Sequence, residues 1–155
     1  MLNSAGAGGV VGDDRGNWVV WFSRRIGKTS SFKAEIWGLH DGLFLCNQKN
    51  LSGIIIELDS KALVDAFNNP CYANSVISLL FNDCRHLASR IPCLCFRHIY
   101  REANMCADRL AKIGLQQSLD LVIHSSMLVD IFASLEANCQ ETFVYRLCLI
   151  SCSSV

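Results

Sequence analysis

A chain of 155 residues, 51% of them hydrophobic and 18% charged, has the material for one domain with a real core, which excludes a disordered segment. Fourteen basic and fourteen acidic side chains cancel, so no overall field draws in a polyanion and any contact with nucleic acid must come from a local patch. The nine cysteines are odd in number and irregular in spacing, with no C-x-x-C pair, which argues for reduced thiols in a cytosolic or nuclear setting over a disulfide framework or a zinc site.

The opening MLNSAGAGGVV lacks the basic head and apolar core of a signal peptide, and no later stretch supplies about eighteen uncharged apolar residues, so a soluble intracellular protein, nuclear or cytoplasmic, is expected. GGVVGDDRGNWVVWFS reads as a β-hairpin turning over Asp13 to Asn17, with Trp18 to Phe22 as the returning strand. Ser30 or Ser31 caps a helix in which Phe32, Ile36, Leu39, Leu43 and Leu45 fall near a helical period and Glu35 falls in the first turn. GIIIELDS, residues 53–60, is a strand buried on both faces, as a parallel sheet requires. A short helix from Ser60 to about Phe67 follows. Asn74 or Ser75 caps a third helix running to about Ser89, with Val76, Leu79, Leu80, Cys84 and Leu87 as its apolar stripe. CLCFRHI is a further strand, on which Cys93 and Cys95 alternate to one face, and REANMCADRLAKIG a helix that Gly114 terminates. This order describes a mixed sheet with helices on its faces, an α/β fold. Residues 116–155 form a C-terminal extension whose apolar groups lack a clear period; a strand followed by a helix or a docked tail both fit.

Three acids stand out. Asp59 ends the isoleucine strand, and in open α/β sheets ligands bind just outside the carboxyl ends of strands. Glu35 and Asp108 lie on helices. Each has an ordinary explanation: Glu35 favours the positive end of its helix dipole, Asp59 caps the next helix, and Asp108 pairs with Arg109 or Lys112. Taken together, neighbouring carboxylates are costly unless a cation neutralises them, and hard oxygen ligands suit Mg²⁺ or Mn²⁺. A pair of such ions about 3.5–4 Å apart can stabilise both oxygens of a phosphoryl displacement. His98 is of the residue type most used for proton transfer, although an isolated strand-end histidine is often only structural. Arg24, Arg25, Lys28, Lys33, Arg97 and Arg101 form basic clusters that suit phosphates or an ordinary solvated face equally.

AEIWGL, IIIELDSKALV and RHIYREANMCADRLAK, in this order, resemble the ribonuclease H type 1 domain, in the plant reverse-transcriptase-like version of retrotransposon-derived genes, over about residues 4–115. The resemblance implies a mixed five-stranded sheet, cleavage of the RNA strand of RNA–DNA hybrids, and Mg²⁺ or Mn²⁺ held by four acids. It implies that Glu35, Asp59 and Asp108 are the second, third and fourth of these metal ligands and that His98 is the mobile histidine of the family. Asn104 matches a residue of the REAN turn that supports the loop of this histidine; with the basic side chains Arg97, Arg101 and Lys33 it makes up the candidate nucleic-acid contacts, and a monomer is expected. The first acid of the family sits in an xxDG stretch on a first strand, upstream of the Gly/Ala-rich loop. This sequence opens inside that loop, and Asp13 and Asp14 lie at the far end of the next strand, so a sheet lacking its first strand is expected. Two functions are compatible with these residues: a metal-dependent hybrid-cleaving endonuclease, or a non-catalytic nucleic-acid-binding remnant of a retroelement gene.

Overall fold

The computed structural model describes residues 3–13, 18–69, 78–100, 105–124 and 145–153. The hairpin expected from the glycine-rich opening is present: β1 (Asn3–Asp13) pairs antiparallel with β2 (Trp18–Thr29), with irregularities at Ala5/Gly6 and Val11/Gly12. The turn itself, including Asp14 and Asn17, lies outside the described residues. Helix α1 (Ser31–Gln48) begins after Ser30, whose hydroxyl accepts from the Lys33 amide, so Glu35 stands one turn into the helix and not in its first turn. Strand β3 (Ile54–Leu58) is buried throughout. Helix α2 (Lys61–Asn68) is capped by Ser60, and not by Asp59, with the Ser60 hydroxyl accepting from the Leu63 amide.

Helix α3 spans Ser78–Ser89, and the expected caps Asn74 and Ser75, with Val76, lie outside the described residues. Its stripe differs from the expected one. Cys84 and Phe81 are buried and Leu80 and Leu87 pack on the core, whereas Leu79 is 83% exposed, because it falls between the helical rows that meet α1. Strand β4 (Leu94–His98), helix α4 (Met105–Gln116) and strand β5 (Leu121–His124) follow, and β6 (Tyr145–Ser153) comes last.

The sheet order is β4-β3-β6-β1-β2-β5. The C-terminal β6 therefore lies in the middle, parallel to β3 and antiparallel to β1 along its whole length. The expected gap at the first-strand position is closed by a segment that carried no recognisable strand pattern. β5, also from residues 116–155, extends the far side of the sheet against β2. Among the described residues, no helix is long and apolar enough to cross a membrane.

Alternation along the strands separates two faces. Val11, Val20, Phe22, Ile54, Ile56 and Leu58 join residues of α1, α2 and α3 in one core. On the opposite face α4 packs against β1, β6 and β2. There Gly8 lets the helix approach to backbone contact: a methyl group at Gly8 would sit 2.6 Å from the Ala111 amide nitrogen. Gly114 has the same role against β2, where a side chain would strike the Arg24 carbonyl; α4 runs through Gly114 to Gln116 instead of ending there.

Polar groups lock β2 on both faces. Arg24 forms a fork with buried Asp41 of α1, Nη2 to Oδ1 at 2.9 Å, and lies over the Trp37 ring. On the other face Gln117 donates from Nε2 to the carbonyls of Ser23 and Leu119, at 3.0 and 2.8 Å, so its Oε1 is left to accept from the fully buried Ser23 hydroxyl. With that proton used, the 2.8 Å contact of Ser23 Oγ with His124 Nε2 has the ring as donor.

Two outcomes follow from these contacts. Gly8→Ala meets helix backbone that cannot move cheaply, and should lower unfolding free energy by about 1–3 kcal/mol in urea denaturation with an unchanged slope. Burial holds the His124 imidazole below its ordinary value near 6.5. The unfolded chain therefore binds more protons here, so the contribution of His124 to stability is present above that value and is lost as pH falls. His124→Gln should flatten the acid limb of the stability–pH curve between pH 7 and 5, and an NMR titration should place the His124 midpoint below 6.5.

Candidate active site

The isoleucines of β3 bury both faces of a parallel strand, and the strand delivers Asp59 to its carboxyl end, half-buried between Leu58 and the cap Ser60. β4 runs parallel beside it, with Leu58 level with His98, and the Ile99 amide donates to the Leu58 carbonyl at 2.9 Å. Asp59 and His98 thus stand at adjacent strand ends, where the helices of an α/β unit leave a crevice. The half-buried His98 ring meets the ring of Tyr100 edge-on, with centroids 5.6 Å apart, and Tyr100 is 78% exposed. Tyr100 was not singled out in the sequence; its signal is a large aromatic held in solvent beside a titratable ring.

Glu35 is half-buried on α1, between the fully buried Ala34 and Ile36. Asp108 is the fourth residue of α4; its side chain, with the whole of Arg101 and Asn104, lies outside the described residues. Among the described residues, no group of three acidic, histidine or cysteine side chains gathers tightly enough to hold an ion. The described carboxylates of Glu35 and Asp59 are hard oxygen donors, the chemistry that Mg²⁺ or Mn²⁺ requires and zinc does not. The free thiols of Cys46 and Cys84 are remote from such work: both are buried in the core, and burial pushes the Cys46 pKa up to about 12.

The basic residues divide. Lys33, Arg25 and Lys28 are exposed, whereas Arg24 is consumed by Asp41 and Trp37. Arg97 reaches Glu57, a 2%-exposed acid at the same level of β3, which the apolar run around it conceals in the sequence. Arg97 itself remains 38% exposed.

The register also shows what β6 brings to this end of the sheet. Leu149 is level with Leu58, so Ile150 is the next residue along, beside Asp59, and on its other side it pairs with Gly8. YRLCLISCS contains no acid.

Comparison with known proteins agrees with this architecture. Residues 2–114 match the family model described as reverse transcriptase-like. A protein of Arabidopsis thaliana, provisionally named a ribonuclease H protein, is 36% identical over 132 residues; that match takes in 84% of this chain but only 21% of the relative's length. Among solved structures, ribonuclease H1 from the halophilic archaeon Halobacterium salinarum superimposes with a TM-score of 0.66 at 21% identity, covering 74% of this chain and 88% of the other. LC11 ribonuclease H1, isolated from compost, gives 0.66 at 26% identity, covering 74% and 86%. The same enzyme in complex with an RNA/DNA hybrid gives 0.60 at 24%, covering 74% and 88%.

The Glu57–Arg97 pair yields a specific expectation. Arg97→Leu strands the buried Glu57 carboxylate and should cost about 3 kcal/mol or more, while the double replacement with Glu57→Leu should recover much of the loss. A double-mutant cycle by urea denaturation measures that coupling.

Proposed function

Because the chain belongs to the reverse transcriptase-like family, whose fold is that of ribonuclease H, we propose that it hydrolyses the RNA strand of RNA–DNA hybrids with the help of divalent cations. The observation that carries this reading is the register of β3 and β4, which puts Leu58 level with His98 and so brings Asp59 and His98 to the carboxyl ends of two adjacent parallel strands. Glu35, Asp59 and Asp108 are the residues that would hold Mg²⁺ or Mn²⁺. The bound cation would supply Lewis acidity to the phosphate and acidify an attacking water. His98, at the open end of β4, moves a proton on the leaving side, the work for which an imidazole is suited. Lys33 and Arg97, with Arg101 and Asn104, meet the phosphates and sugars of the duplex, which sets register without reading sequence. Water as the nucleophile leaves a 3′-hydroxyl and a 5′-phosphate.

A second reading has its own observation. The strand beside Asp59 contributes Ile150 where a further carboxylate would complete the acid set, which favours a domain that holds hybrid without cutting it.

A labelled RNA–DNA hybrid incubated with the chain and Mg²⁺ separates the two. Under the nuclease reading cleavage is measurable, is abolished by Asp59→Asn, and falls about 10²- to 10⁴-fold in His98→Ala. Ile150→Asp should raise the rate. Absence of cleavage in every variant, with hybrid binding equal in the wild type and Asp59→Asn, would establish the binding module.

A further inference from the structure

We propose that the outer edge of β4, with the groove beside it, is a docking site for an extended acidic–apolar peptide, a function beyond the proposed hydrolysis that shares His98 and Arg97 with that site. β4 is the last strand on its side of the sheet. The Cys93 carbonyl accepts from Ile54 and the Ile99 amide donates to Leu58, so the odd-numbered residues of β4 direct their backbone groups toward β3. By alternation, the amides and carbonyls of Leu94, Phe96 and His98 point away from the sheet. Among the described residues, no strand pairs with them. Such an edge is a template for another strand.

The surroundings of this edge select what kind of strand fits. A groove of about 590 Å³ borders it on the helix face, lined by Phe67, Ala88, Ile91, Leu94 and Phe96, with Arg85 at its side. Phe67 stacks on Phe96 with centroids 4.6 Å apart, and Arg85 is held in place by donating to the carbonyls of Ala66 and Asn69, so the groove has firm walls and a fixed positive charge. Arg85 is the charged residue of the lining. Arg90 is exposed at the end of α3, and Arg97 lies on the opposite face of β4, still 38% exposed. An added strand alternates its side chains between these two faces. One set would enter the apolar groove, the other would pass Arg97, and cations border both. The complementary ligand is therefore a segment of about five residues with bulky apolar side chains at every second position and Glu or Asp between them. A nucleic acid suits the site less well, since phosphates accept but do not donate, and the edge offers both donors and acceptors in alternation.

The test uses the full chain and a synthetic peptide, acetyl-Glu-Val-Glu-Phe-Glu-Val-amide, followed by fluorescence anisotropy and amide hydrogen exchange. Saturable binding that slows exchange at Leu94, Phe96 and His98 is expected. A version of the peptide N-methylated at every second amide, in the register that faces β4, should bind at least tenfold more weakly. Ser89→Glu and Arg90→Glu, both exposed and outside the core, should weaken binding while leaving the fold intact by circular dichroism. Equal binding by the methylated peptide, protection confined to other residues, protection of Leu94 and Phe96 by a hybrid duplex but not by the peptide, or edge protection that depends only on protein concentration and so reports a second copy, would each overturn the proposal.

Discussion

The constraint on which the rest of the structure depends is backbone pairing in the middle of the sheet. β1 and β3 each turn a row of amides and carbonyls toward the same gap, and buried groups of this kind must find partners. β6 supplies them on both sides. Without it the sheet divides into a two-stranded and a three-stranded piece, and α4, which packs on β1, β2 and β6, loses part of its floor. Because β6 is drawn from the opposite end of the chain from β1, the sheet closes only through the most distant contacts in sequence, which makes that closure a late and entropically costly event in folding.

Local pattern made much of the fold legible. The hairpin, the capped helix after Ser30 and the isoleucine strand each follow from signals carried within a few residues and lie where those signals place them, whereas the cap of α2 falls on Ser60 and not on Asp59. What escaped depends on distant partners. YRLCLISCS has neither alternation nor a bounding turn signature of its own, and becomes a central strand only because β1 and β3 leave a slot of matching direction. Gly114 reads as a helix terminator, yet its missing side chain leaves room for the Arg24 carbonyl, a need that no local window reveals. Leu79 fits an apolar stripe on paper, but the start of α3 turns it to solvent and gives the core to Phe81.

The candidate site was legible to a similar degree. Asp59 and His98 announce themselves through strand ends, and β3 and β4 run parallel with Leu58 level with His98. The roles of the cations were less visible, because a basic residue in sequence has no stated partner. Arg24 and Arg97 both turn out to answer buried acids, Asp41 and Glu57. A composition whose charges cancel overall thus contains local pairs that tie β2 to α1 and β4 to β3, while Arg25, Lys28 and Lys33 keep exposed positive charge near the start of α1.

The central claim is that residues 145–153 hold the two halves of the sheet together, and NMR tests it most directly through cross-strand contacts and amide exchange in this segment. The structure requires contacts from Leu149 to both Gly9 and Leu58, with β6 amides among the slowest to exchange in the chain. Fast exchange across 145–153, with β1 and β3 in direct contact or paired to another segment, would contradict it.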